Sequence, residues 1–346
     1  MVCLENIKMV RILGLSFILS LFLTFGVSAI DNSFKLDFDG DGRTDIALYR
    51  EGSRSIDVAP QQSYWFYLST RTGQMGTILW GRTLDVPIPA DYDNDGKTDV
   101  AVYRWWDFST GDTNEWWLNM SSGGNSIFAY EYQQGYDKFS RNYFGDARAE
   151  IAYIYLVDTS IEPPQTCFTG IYFAGDADQN SVRKQVSDTC NVIPNPAPGD
   201  YNNDGYSEIA VFYNGNFKVW FPPYSAGYTA PNIVQSLDVD AAAPGDYDGD
   251  GKTDFAGTKT RNGRLIWKIK QSGSGEEIEV DWGFATDKPV PGDYDGDGRT
   301  DVAVFRPSDS SWWIRNSADG SVNLFYFGIS TDTPLAMPII PFDPTT

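Results

Sequence analysis

Five segments of this chain place acids at alternating positions around glycines, and that arrangement suits one kind of chemistry, the binding of a hard cation through oxygen. They begin at Asp37, Asp91, Asp200, Asp246 and Asp293 and share the form D-x-[DN]-x-D-G-x-x-[DE]. Side-chain oxygens at positions 1, 3, 5 and 9, with the backbone carbonyl of position 7, can surround one ion. In the first segment these are Asp37, Asp39, Asp41 and Asp45 with the carbonyl of Arg43; in the second, Asp91, Asp93, Asp95 and Asp99 with that of Lys97. The third offers Asp200, Asn202, Asp204 and Glu208 with Tyr206, and the fourth Asp246, Asp248, Asp250 and Asp254 with Lys252. The fifth offers Asp293, Asp295, Asp297 and Asp301 with Arg299.

Glycine at position 6 permits the positive φ that turns the chain back toward an ion. Three or four carboxylates packed this closely do not all stay ionised without a cation. Many protein oxygens on a flexible loop suit calcium better than magnesium, so about five calcium ions are expected. The opening is that of an EF-hand, but position 12 is Leu48, Val102, Val211, Gly257 or Val304 rather than Glu. The ninth-position acid closes the site instead. Acidic turns are common, so one match would say little; five in register say much more than solvated turns would. Asn202 and Glu208 give the third segment one charge fewer and a longer closing arm, which predicts weaker binding there. A decayed copy starts at Asn142, with Phe144 at position 3, and no ion is expected in it.

The elements that must position these loops repeat with them. Successive starts, counting Asn142, are 54, 51, 58, 46 and 47 residues apart. Each loop runs into an alternating apolar stretch (DIALYR, DVAVYR, EIAYIY, EIAVFY, DFAGTK, DVAVFR), then an aromatic one such as YWFYLS or SWWIRN. A third stretch ends at Gly and a Pro-x-Pro segment leads to the next loop, as in ILWGRTLDVPIPAD and VDWGFATDKPVPGD. Short stretches punctuated by Gly, Pro, Asn and Asp, with no amphipathic helix period between them, predict an all-β fold. Four strands in such a unit is the size of a propeller blade. The expectation is a β-propeller of six blades of four antiparallel strands, seven being the alternative. The repeats are set at 30–85, 86–136, 137–194, 195–240, 241–287 and 288–346. The short stretch Phe34 to Leu36 and the tail Leu335 to Pro341 are the candidates for closing the ring.

These units, GDYDGDGKTD followed by Phe-Ala or Val-Ala and the Gly-x-x-x-Asp-x-Pro-x-Pro linkers, resemble the FG-GAP and VCBS-type repeats of integrin alpha-chain heads and many bacterial secreted proteins. The resemblance spans essentially all of residues 30–346. It implies a calcium-bound β-propeller used for adhesion, carbohydrate binding or protein contact.

Residues 1–29 read as a cleaved export signal. Lys8 and Arg11 precede an apolar run from Ile12 to Val27, and Val27-Ser28-Ala29 supplies the small residues of a cleavage site. A retained membrane anchor is the alternative; the run is short for a span. The expected location is therefore secreted, extracellular or cell-surface, without stable membrane insertion after cleavage. The net charge is -21, and losing Glu5, Lys8 and Arg11 makes it -22. Such a surface repels nucleic acid and anionic lipid and attracts cations. Two cysteines remain beyond the signal, Cys167 and Cys190. In an exported chain they most simply form one disulfide; two free thiols follow if the export reading fails.

There is no histidine in the chain. Ser-His-Asp and Cys-His catalysis, His-ligated zinc and an imidazole base are excluded together. On the propeller face opposite the acidic loops, the long turn carrying Trp105, Trp106 and Phe108 suits stacking on a sugar or gripping a peptide. Packing between blades explains those rings equally well. The reading is a non-catalytic adhesion or interaction module for an extracellular protein or glycan. A polysaccharide-active lyase or hydrolase is the alternative, with Glu115, Asp107 and Asp112 as candidate acids.

Overall fold

The computed structural model describes residues 35–52, 61–104, 114–130, 135–141, 149–158, 167–174, 182–187, 194–224, 227–228 and 230–336. In chain order the strands are β1 (Ile46–Arg50), β2 (Gln62–Leu68), β3 (Met75–Arg82), β4 (Val86–Pro87), β5 (Val100–Arg104), β6 (Asn114–Asn119) and β7 (Asn125–Tyr130). There follow β8 (Gly135–Arg141), β9 (Glu150–Asp158), β10 (Cys167–Ala174), β11 (Val182–Ser187), β12 (Asn195–Pro196), β13 (Ile209–Tyr213), β14 (Asn216–Trp220), β15 (Gly227–Tyr228) and β16 (Ile233–Ser236). The last are β17 (Ala241–Ala242), β18 (Phe255–Arg261), β19 (Arg264–Lys270), β20 (Glu277–Phe284), β21 (Lys288–Pro289), β22 (Val302–Arg306), β23 (Ser311–Arg315), β24 (Val322–Tyr326) and β25 (Thr333–Pro334).

The protein is an all-β propeller. Its blades have the orders β25-β1-β2-β3, β4-β5-β6-β7, β12-β13-β14-β16, β17-β18-β19-β20 and β21-β22-β23-β24. This corrects the expectation of six or seven four-stranded blades: five blades have four strands. The sheet of the unit around Asn142 departs from the plan, with five strands in the order β15-β11-β10-β9-β8. Its extra member pairs in parallel with β11, Lys184 facing Gly227 and Gln185 facing Tyr228. The cause lies in the following unit. There β14 and β16 are joined not by a tight turn but by the excursion Phe221 to Asn232, part of which reaches the neighbouring sheet edge.

The second strand of a blade is buried on both faces, as a strand sandwiched between neighbouring blades must be. Along β1, Ile46 and Leu48 join a core with Val290, Phe305 and Trp312. Ala47 and Tyr49 point the other way, into a core with Trp65, Val100 and Val102. The aromatic strand contributes the largest fully buried rings, among them Trp65, Trp267 and Trp312. Their indoles donate to the carbonyls of Trp80 and Trp282 on the outer strand and of Phe327 just past it. Trp80 and Trp282 in turn donate to the carbonyls of Trp117 and Trp313 in the next blade. Burial of the ring and use of its N–H are thus met together.

The ring closes through the first blade, whose innermost strand is β25: Leu48 pairs with Pro334 and Tyr49 with Thr333. The amide of Leu335 extends this to the Ala47 carbonyl at 2.9 Å. Closure therefore falls just ahead of the expected tail, and Lys35 and Leu36 are not part of a strand. The signal segment 1–29, the loop at Asn142, Cys190, and the turn with Trp105, Trp106 and Phe108 lie outside the described residues, as do Asp107 and Asp112. Cys167 opens β10 opposite Asp158. Among the described residues, no helix is long and apolar enough to cross a membrane.

Candidate metal centres

Four of the acidic loops join the first strand of a blade to the second, the loop at Asp37 leads into β1 alone, and the base of each is closed by the ninth residue. The amides of Asp99, Glu208, Asp254 and Asp301 donate to the carbonyls of Ala90, Gly199, Gly245 and Gly292, and that of Asp45 to Leu36. The first acid then organises the turn. Asp37 Oδ1 accepts from the amides of Gly40 and Asp41 at 2.6 and 3.0 Å, and its Oδ2 from Gly42 at 2.6 Å. The same bonds recur around Asp200, where Asn203, Asp204 and Gly205 are the donors. Two positive φ values are needed to aim those amides inward. One is at position 6, as with Gly42 at 84°, and the other at position 4, held by Gly40, Asn94, Asn203, Gly249 and Gly296. The second was readable from the sequence, since only Gly or Asn stands there.

The ninth acid is the most deeply set. One of its oxygens accepts the amide of position 2: Phe38 to Asp45, Tyr92 to Asp99, Tyr201 to Glu208, Tyr247 to Asp254 and Tyr294 to Asp301. Burial without a counter-charge raises these acids, Asp45 to about 7, Asp99, Asp254 and Asp301 to about 6, and Glu208 to about 8. At Asp45 and Glu208 the other carboxylates of the loop add to the effect.

Carboxylate oxygens from three acids converge within 4.8 Å of one another in all five loops. The sets are Asp37, Asp39 and Asp41; Asp91, Asp93 and Asp99; Asp200, Asp204 and Glu208; Asp246, Asp248 and Asp250; and Asp293, Asp295 and Asp297. Asp95 lies outside its set and accepts the Ser121 hydroxyl at 2.6 Å. Asn202 donates its amide to Asp204 and Glu208, leaving its own Oδ1 buried without a partner. Asp45 Oδ1 is likewise buried and unpartnered. Arg71 Nε lies 3.0 Å from Asp41 Oδ2, without hydrogen-bond alignment. An all-oxygen donor set with raised acids and orphaned oxygens fits a hard divalent cation. The position-7 residues Arg43, Lys97, Tyr206, Lys252 and Arg299 each donate their amide to the fifth-position acid.

Two features were not read from the sequence. The first is a serine-bearing turn after the aromatic strand. Ser121, Ser272 and Ser317 donate their amides to the outer oxygens of Asp99, Asp254 and Asp301, each at 2.6 Å. Their hydroxyls reach Asp95, Asp250 and Asp297, and that of Ser122 reaches Asp93. The signal was available: each serine stands five residues after a buried Trp (Trp116, Trp267 or Trp312).

The second feature links the loops to one another. In four of the described loops the eighth residue donates its amide to the carbonyl of the first acid in the loop before it, and Ala149 does the same toward the loop at Asp91. Thr98 reaches Asp37, Thr253 Asp200, Thr300 Asp246, Ala149 Asp91 and, across the closing seam, Thr44 Asp293, all at 2.6–2.8 Å. The glycine before the acid makes room for this. A Cβ on Gly199, Gly245 or Gly292 would come within 2.6–2.7 Å of Thr253, Thr300 or Thr44. Where the neighbour is Ala149, the corresponding residue is Ala90.

On the opposite face, three of the arginines that end second strands each fork onto an aspartate that precedes the first strand. Arg50 holds Asp332, Arg104 holds Asp85 and Arg306 holds Asp287, through Nε and a terminal nitrogen at 2.6–3.1 Å. Phe66, Trp117 and Trp313 lie beneath the three guanidinium groups. Glu115, the one described acid of the catalytic alternative, accepts the Trp117 indole N–H at 2.8 Å.

The FG-GAP-like repeat family matches residues 37–102 and 246–304, so the chain carries FG-GAP-like repeats in a β-propeller. No curated protein sequence matches it. Among solved structures it is similar to a candidate 6-phosphogluconolactonase of Bacteroides uniformis, at 12% identity and a TM-score of 0.35, covering 86% of this chain and 98% of that one. A second candidate 6-phosphogluconolactonase, from Bacteroides fragilis, matches at 11% identity and a TM-score of 0.34, covering 84% and 96%.

Proposed function

We propose that this protein is a secreted or cell-surface, calcium-binding β-propeller that acts as a non-catalytic adhesion or interaction module for an extracellular protein or glycan. The observation that carries the reading is the recurrence of one oxygen cluster at five loops, with Asp45 Oδ1 and Asn202 Oδ1 buried and unpartnered within them. In each loop the converging acids would hold the ion, with the carbonyls of Arg43, Lys97, Tyr206, Lys252 and Arg299 as further oxygen donors. A bound calcium supplies the positive charge that lets the buried acids remain ionised. The chain's own residues do the rest: the first acid gathers the loop amides, the ninth closes the base, and the eighth ties the loop to its neighbour.

The ions are read as structural, each fixing a loop at one end of a blade. The ligand is read to bind the other face, where the second strands end in Arg50, Arg104 and Arg306, with Trp105, Trp106 and Phe108 as its expected contacts. Calcium calorimetry on the full chain, followed by a glycan array with and without chelator, tests this. Uptake of about five ions is expected from the ligand sets; no uptake sinks the calcium reading. Polysaccharide turnover abolished by Glu115→Gln sinks the non-catalytic one.

A further inference from the structure

Four of the five acidic loops are entered from an inner strand of their own repeat, through a proline two residues before the first acid: Pro89, Pro198, Pro244 and Pro291. The loop at Asp37 is not. The inner strand of its blade is β25, from the other end of the chain, and the residue at the proline position is Lys35. Its ammonium donates to Asp293 Oδ2 and to the Gly42 carbonyl, both at 2.8 Å. Asp293 is 6% exposed and Lys35 23%. A protein cation thus bridges two acidic loops in the one blade whose inner strand is not joined to its loop.

An internal control exists. The loops at Asp246 and Asp293 read DYDGDGKTD and DYDGDGRTD, with the same oxygen donors. Their frames match: Gly249 and Gly296 donate to Oδ1 of the first acid at 2.6 and 2.7 Å, and Gly251 and Gly298 to Oδ2 at 2.9 and 3.1 Å. Ser272 and Ser317 complete both from the adjoining turn. Arg299 lies over Gly249 and Arg43 over Gly296. The first acid of one loop carries an ammonium and that of the other does not.

We propose that Lys35 is a built-in counter-ion that latches the first blade to the last loop and, by sharing Asp293, weakens that loop's hold on a divalent cation relative to the loop at Asp246. The inference rests on the calcium reading above. It makes two effects of opposite sign: without the ammonium the metal-free seam is weaker, while one loop gains negative charge for an incoming ion. A lysine with only a structural role would produce the first effect and not the second.

The experiment compares the full-length wild type with Lys35→Met, Lys35→Arg and a charge control, Arg315→Met, by thermal unfolding in chelator and by calcium calorimetry. Lys35→Met is expected to melt a few degrees lower in chelator and to bind calcium about tenfold more tightly at one site, the size of removing a unit charge beside a divalent site near the surface. Lys35→Arg and Arg315→Met should follow the wild type in both readings. If Lys35→Met does not fold in chelator, Asp248→Asn and Asp295→Asn give a second route, since the first should delete a tight site and the second a weak one. Equal loss from those two, or a Lys35→Met isotherm unchanged from wild type, overturns this inference alone. No calcium uptake by any variant overturns it together with the functional reading.

Discussion

The two faces of the propeller use the same residue at similar burial and treat its charge in opposite ways. On one face Asp85, Asp287 and Asp332 are each gripped by an arginine fork and capped by a backbone amide at or just past the end of the outer strand, so their charge is met within the chain. On the other face Asp45, Asp99, Asp254 and Asp301 are equally buried, yet neutral N–H groups are their hydrogen-bond donors. The first arrangement is self-contained. On the proposed reading the second is completed by charge from outside, so conditions that change free cations should act on one face and spare the other.

The largest expected effect comes from breaking the self-contained face. Arg306→Met leaves Asp287 buried beside no cation and should cost about 3–5 kcal/mol. That loss should be the same in calcium and in chelator when measured by denaturant unfolding; a calcium-dependent loss would merge the two faces into one system. Next is Asp246→Asn on the other face. It should remove one ion's worth of stabilisation, about 2.7 kcal/mol at a hundredfold excess over the dissociation constant. In chelator it should be neutral or stabilising.

The pH response follows from the raised acids. A carboxylate whose folded pKa lies above its unfolded value stabilises the fold while protonated, and that stability is lost as pH rises through the folded pKa. With unfolded values near the ordinary 3.8 for Asp and 4.5 for Glu, and folded values of about 6 to 8, the metal-free protein should melt at falling temperature from pH 5 to pH 8. Saturating calcium should flatten that slope. A metal-free profile that rises over this window would show the acids to be paired after all. The smallest effect is expected from Ser317→Ala, which loses the hydroxyl bond to Asp297 while keeping the amide bond to Asp301. It should cost about 0.5–1.5 kcal/mol, visible as a small drop in melting temperature.

Much of the acidic face was legible because its chemistry is local. The acids of one loop lie within nine consecutive residues, and the glycines that turn it lie among them. The opposite face was not, because Arg104 and Asp85, or Arg306 and Asp287, sit nineteen positions apart, the arginine ending one strand and the aspartate preceding another. Aligning the repeats against one another would have exposed them. Where the strand ends in Tyr213 instead of Arg, the residue before the inner strand is Pro194 instead of Asp. The fifth strand of one sheet had no such signal: Gly227–Tyr228 is an edge contact made by a long excursion, without apolar alternation to mark it.

The closure through β25 also decides how a load would pass through the molecule. Residue 336 runs toward the loop at Asp37, and residue 35 leaves from that same loop, so both described ends emerge side by side on the acidic face. Tension applied across them would open the β1–β25 pair one bond at a time, like a zipper, rather than shear it along its length. A tether at either end would turn the acidic face toward the surface it is tied to and present the arginine face outward.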